Sequence, residues 1–136
     1  MQPWVLPATV AFLCWGLWAF LPKLTTRYLD PARSLVYEAL GGVLVALVVL
    51  AALGFRAEGD PRGVGLALAT GVLGVGGALA YLYAVVRGPV ALIATVTALY
   101  PVITVVLAAV LLHEPVSARQ WLGIGLALVA LALVAA

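Results

Sequence analysis

From Val90 to Leu112 the chain carries no charged residue. As a helix this stretch is long enough to cross a hydrocarbon core of roughly 30 Å. Pro101 sits near its middle. Proline has no N–H, and its ring clashes with the carbonyl four residues back, here that of Thr97. The carbonyl so released lies beside the hydroxyls of Thr95, Thr97 and Thr104 and the phenol of Tyr100. In lipid a released backbone group needs protein or trapped water as its partner. Loosened helices near the midplane are where transporters often bind substrate. The alternative is a kinked packing helix whose threonines bond back to their own turn.

The rest of the chain is built from the same material. Hydrophobic residues make up 66% of it and charged residues 9%, and the mean hydropathy is +1.24. Soluble domains carry about 25% charge, so this composition predicts an integral membrane protein with the lipid bilayer as its surroundings. A net charge of +2 is too small to indicate a nucleic-acid partner. Cys14 is the one cysteine, which excludes an intrachain disulfide and a cysteine-based metal site. The one histidine, His113, adjoins Glu114, and such a pair does not make a metal centre. There is no Ser-His-Asp set, no Gly-rich phosphate loop and no pair of intramembrane carboxylates. The expectation is a protein without metal, without cofactor and without enzymatic activity.

In chain order the pattern predicts an all-α protein with five transmembrane helices, over residues 4–21, 32–53, 63–86, 90–112 and 117–136, forming a single domain over 1–136. Pro22 and Lys23 are expected to end the first helix. Trp18 falls near the far interface, where indoles anchor; Trp15 is deeper, and its indole N–H needs a partner. Asp30-Pro31 reads as a helix start, aspartate as cap and proline at the first helical position. Glu38 is the one acidic residue well inside a predicted span. It is either a group facing a wet cavity or the partner of Lys23 or Arg33. Gly41, Gly42 and Ala46, and then Gly71, Gly74, Gly77 and Ala78, are small-residue faces suited to close helix approach. Tyr81 continues the second of these. The loop from Gly54 to Arg62 reads as a solvated turn, and Ser117 as the cap of the last helix.

Basic residues bias orientation when the two sides differ. Here Arg56, Arg62 and Arg119 face Lys23, Arg27, Arg33 and Arg87 across the membrane, with the N-terminal amine on the side of the first three. The balance is close to a tie, the pattern of a chain that inserts both ways.

Trp15-Gly16 followed by Lys23, then Tyr100-Pro101-Val102, Glu114, Gln120 and Gly123, resemble in order and spacing the EamA domain of the drug/metabolite transporter superfamily. The resemblance covers essentially the whole chain. It implies a multi-pass protein of a bacterial or archaeal inner membrane, moving small organic metabolites or drugs as a secondary carrier. Most relatives carry two such domains as inverted repeats, whereas this chain carries one. A homodimer of half-size units, antiparallel where the two insert oppositely, is therefore expected. Many relatives also have an arginine early in helix 2, where this chain has Glu38, so no anionic or amino-acid substrate is carried over. The expected substrate contacts are Trp15, Glu38, Tyr81, Thr97 and Tyr100, with Glu38 also coupling to protons and Pro101 as the hinge. A non-transporting membrane subunit and a passive channel are the alternatives.

Overall fold

A computed structural model describes residues 2–135. Among them it shows six helices and no strand: α1 (Val5–Thr25), α2 (Pro31–Ala52), α3 (Pro61–Arg87), α4 (Val90–Thr97), α5 (Tyr100–Leu111) and α6 (Ala118–Ala135). α1, α2, α3 and the run Val90–Leu111 are each long and apolar enough to cross a membrane. α6 is apolar but shorter, and the expected end of the fifth span at Ala136 lies outside the described residues. The chain falls into two units, one ending at Arg87 and one beginning at Gly88.

In the first unit, α3 packs against both α1 and α2. Its buried residues are Ala78, Tyr81, Leu82 and Val85. Their spacing of three and four places them on one helical face, toward the C-terminal end of α3. Gly71, Gly74 and Gly77 lie further back, and a Cβ added at any of them meets nothing within 4 Å. Among the described residues of the first unit, this face is buried at Ala78 and open at the three glycines, and the same openness holds at Gly41 and Gly42.

The helix ends follow from local chemistry. The Asp30 carboxylate accepts from the Arg33 N–H at 3.0 Å, and Pro31 fills the first helical position, where no N–H is required. Asp60-Pro61 repeats this device: Asp60 accepts from the Arg62 N–H at 2.8 Å, so α3 starts two residues before the expected 63. α1 runs through Pro22 to Thr25 instead of stopping at Leu21. Proline removes one donor there, and the chain stays helical because the Thr26 N–H and hydroxyl both close on the Pro22 carbonyl, at 2.9 and 2.8 Å.

In the second unit, α4 and α6 are in contact. The span from Val90 is broken at Ala98 and Leu99, where the expected bend lies. Pro101 cannot donate to the Thr97 carbonyl. The turn instead closes with short-range bonds, Leu99 N–H to Val96 at 3.3 Å and Val102 N–H to Leu99 at 2.9 Å. α5 ends with His113 at φ 54° and the Glu114 N–H on the Ala108 carbonyl at 3.3 Å, a left-handed helix stop built on histidine in place of glycine. Ser117 and Gln120 then cap α6 reciprocally: the Gln120 amide oxygen accepts from the Ser117 N–H at 2.7 Å, and the Ser117 hydroxyl accepts from the Gln120 N–H at 3.4 Å.

Pro101→Ala supplies the missing donor and removes the ring clash. A proline inside a helix costs about 3 kcal/mol, and the break already relieves part of that, so the alanine variant is expected to be equally or more stable. Spin labels near the ends of α4 and α5 should report a longer, narrower distance distribution as the two segments fuse. An unchanged distribution would show that the break does not depend on the proline.

Candidate functional site

At one end of the first unit, the last turns of α1, the first turns of α2 and the last turns of α3 come together. Trp18 of α1 donates its indole N–H to the Glu38 carboxylate of α2 at 2.8 Å. The Trp18 ring also lies against Tyr81 of α3, with centroids 5.5 Å apart and planes tilted by 32°. The Tyr81 hydroxyl donates back to the Ala19 carbonyl at 2.7 Å, which fixes α3 to α1. The Lys23 ammonium donates to the Val85 carbonyl at 2.6 Å. Carbonyls in a last helical turn lack N–H partners from their own helix, and the dipole favours a cation there.

A cleft of about 230 Å³ opens in this cluster, bordered by Trp18, Thr25, Ser34, Tyr37, Glu38 and Leu82. Ser34 is its unusual member. The residue is 3% exposed, and its hydroxyl has no hydrogen-bond partner among the described residues. The threonines behave otherwise. Thr9, Thr25, Thr26, Thr70, Thr95, Thr97 and Thr104 each donate to the carbonyl four residues back. An unsatisfied buried hydroxyl costs about 1–3 kcal/mol, so the position holds a polar group at the expense of stability.

Two basic residues of this end point elsewhere. Arg33 pairs with Asp30 at 3.2 Å. Arg87 lies over the Tyr83 ring at 5.4 Å and donates to the Tyr83 carbonyl at 3.1 Å. The partner the structure gives Glu38 is thus an indole.

Of the expected site residues, Glu38 and Tyr81 are brought together through Trp18, the residue assigned to the interfacial belt. Trp15 lies one turn earlier and is 61% exposed. Thr97 and Tyr100 belong to the second unit and flank the helix break. The Thr97 hydroxyl is taken up locally, by Ile93 at 2.9 Å and Ala94 at 3.1 Å. A second cleft, of about 490 Å³, lies in that unit between the break and α6, with Leu99, Pro101, Glu114 and Gln120 on its walls. Sequence reasoning passed over Ser34, although its spacing of four from Glu38 places both on one helical face.

A family model described as the EamA-like transporter family matches residues 2–136. No curated protein and no solved structure matches the chain.

The Trp18–Glu38 bond links two helices, so its removal is measurable as coupling. In thermal unfolding, Trp18→Phe and Glu38→Gln are expected to be non-additive by about 0.5–3 kcal/mol. Thr70→Ala, which removes a hydroxyl bonded within α3 and shares no partner with the carboxylate, should be additive with Glu38→Gln to within about 0.5 kcal/mol. Additive Trp18 and Glu38 effects would mean the bond carries no coupling.

Proposed function

Because this chain belongs to the EamA-like transporter family, whose members are transporters, we propose that it is a secondary carrier of small organic metabolites or drugs, working as a homodimer in a bacterial or archaeal cell membrane. The observation that carries the reading is the Trp18–Glu38 contact. An ionisable group inside a span faces the bundle interior or a wet cavity by default and marks a substrate or proton path. Glu38 borders a cleft, and a neutral indole holds one of its oxygens at 2.8 Å. The indole is uncharged, so this contact sets no cation against the carboxyl.

Substrate contact is assigned to Glu38 and Tyr81, with Trp15 one turn along α1. Thr97 and Tyr100 serve at the helix break, and Pro101 is its hinge. The break supplies the second requirement of a carrier, a place where a span can bend between two states. The open faces at Gly41, Gly42, Gly71 and Gly74 suit helices from a second copy. The near-tied basic residues are consistent with two copies inserted oppositely.

In proteoliposomes with an imposed pH gradient, wild-type protein is expected to dissipate the gradient when a transported compound is added. The response is assigned to Glu38, the carboxylate that borders the cleft. Glu38→Gln should fold and give flux flat with pH. Wild-type pH dependence in that variant removes the proton-carrier role. Flux that is non-saturating and independent of any gradient identifies a passive channel.

A C-terminal reporter active on one side of the membrane only should give signal from both sides in cells. A single orientation rules out the antiparallel dimer.

A further inference from the structure

The cleft at Ser34 and Glu38 has acceptors without matching donors. One oxygen of the Glu38 carboxylate accepts from Trp18, which leaves the other oxygen for a ligand. One turn earlier on the same face of α2 stands the Ser34 hydroxyl, buried and unpartnered among the described residues. The Asp30 carbonyl, which a serine in this position would ordinarily use, already takes the Ser34 backbone N–H at 2.9 Å. The threonines of this chain share such a carbonyl with their own hydroxyl, and Ser34 does not.

Resting on the carrier reading above, we propose that this cleft takes small amphiphilic amines in their protonated form, ammonium ions that still carry N–H, in preference to quaternary cations, neutral alcohols or carboxylates. An ammonium N–H donates to Glu38 and a second donates to Ser34, so one group satisfies both acceptors. Trp18 and Tyr37 border the same cleft. Aromatic side chains on a cleft wall attract a cation and cover the hydrocarbon body of a ligand. A carboxylate ligand meets the like charge of Glu38, while Lys23, Arg33 and Arg87 are directed to Val85, Asp30 and Tyr83. A quaternary ammonium has no N–H and leaves Ser34 as it is. The cleft, at about 230 Å³, lies below the roughly 300–1,000 Å³ of drug-sized sites, which limits the occupant to about one ring and a short chain.

Titration calorimetry on the purified full-length protein in lipid nanodiscs tests this with four probes that share one ring: benzylammonium, benzyltrimethylammonium, benzyl alcohol and benzoate. Benzylammonium is expected to bind about tenfold or more tightly than its trimethyl analogue, the difference made by hydrogen bonds to a charged donor. Benzoate and benzyl alcohol should show no binding. Ser34→Ala should weaken benzylammonium about tenfold and leave benzyltrimethylammonium unchanged, and Glu38→Gln should abolish binding of both cations. Ser34→Ala also removes a buried unsatisfied hydroxyl, so its thermal unfolding temperature should equal or exceed that of the wild type.

Equal affinity for the two cations overturns the proposal. So does a Ser34→Ala protein of altered stability and unaltered benzylammonium affinity, which assigns the hydroxyl a structural role. The proteoliposome assay separates the two readings. Benzylammonium binding that depends on Ser34 without proton-coupled flux overturns the carrier and upholds the cleft. Proton-coupled flux of benzylammonium that is indifferent to Ser34→Ala overturns the cleft and upholds the carrier.

Discussion

A hydrocarbon environment offers no hydrogen bonds, so each polar group on a spanning helix must find its partner within the protein. This constraint accounts for most of the side-chain bonds in the structure. The threonine hydroxyls fold back onto their own helices. The Tyr81 hydroxyl and the Lys23 ammonium cross from helix to helix and take carbonyls there. The Trp18 indole takes a carboxylate. Against this background of satisfied groups, Ser34 stands apart, and its place beside Glu38 turns an isolated anomaly into a pair of acceptors on one cleft wall.

α3 organises the first unit because its buried face lies near its C-terminal end. Tyr81 and Val85, one turn apart, are each tied to α1: the Tyr81 phenol donates to the Ala19 carbonyl, and the Val85 carbonyl accepts from Lys23. These ties hold the Trp18 ring against Tyr81, which in turn sets the indole N–H on Glu38. The cleft is therefore a product of how the three helix ends are joined.

Local chemistry made several features legible in the sequence. Asp30-Pro31 announced the start of α2, Ser117 the cap of α6, and Pro101 the break after Thr97, because each acts within a few residues of itself. Asp60-Pro61 carried the same information as Asp30-Pro31 and was masked by the charges around it. Pro22 misled because a proline near a helix end can be spanned when the following threonine closes the turn. Trp18 was beyond local reading. Whether an indole anchors at the interface or meets a carboxylate depends on which helix stands opposite, and no spacing along one helix states that. For the same reason the sequence could mark Glu38 as costly but not choose between Lys23, Arg33 and an indole as its partner.

The break at Ala98 and Leu99 divides its span unequally, into 8 residues before it and 12 after it. At 1.5 Å per residue these are arms of about 12 and 18 Å, each too short to cross a bilayer alone. Any change of angle at this pivot therefore moves the far end of the longer arm through about one and a half times the arc of the shorter one. Two unequal arms on one pivot also tilt independently. Such a span can match bilayers of different thickness by changing its bend, where a straight helix has to tilt as a whole.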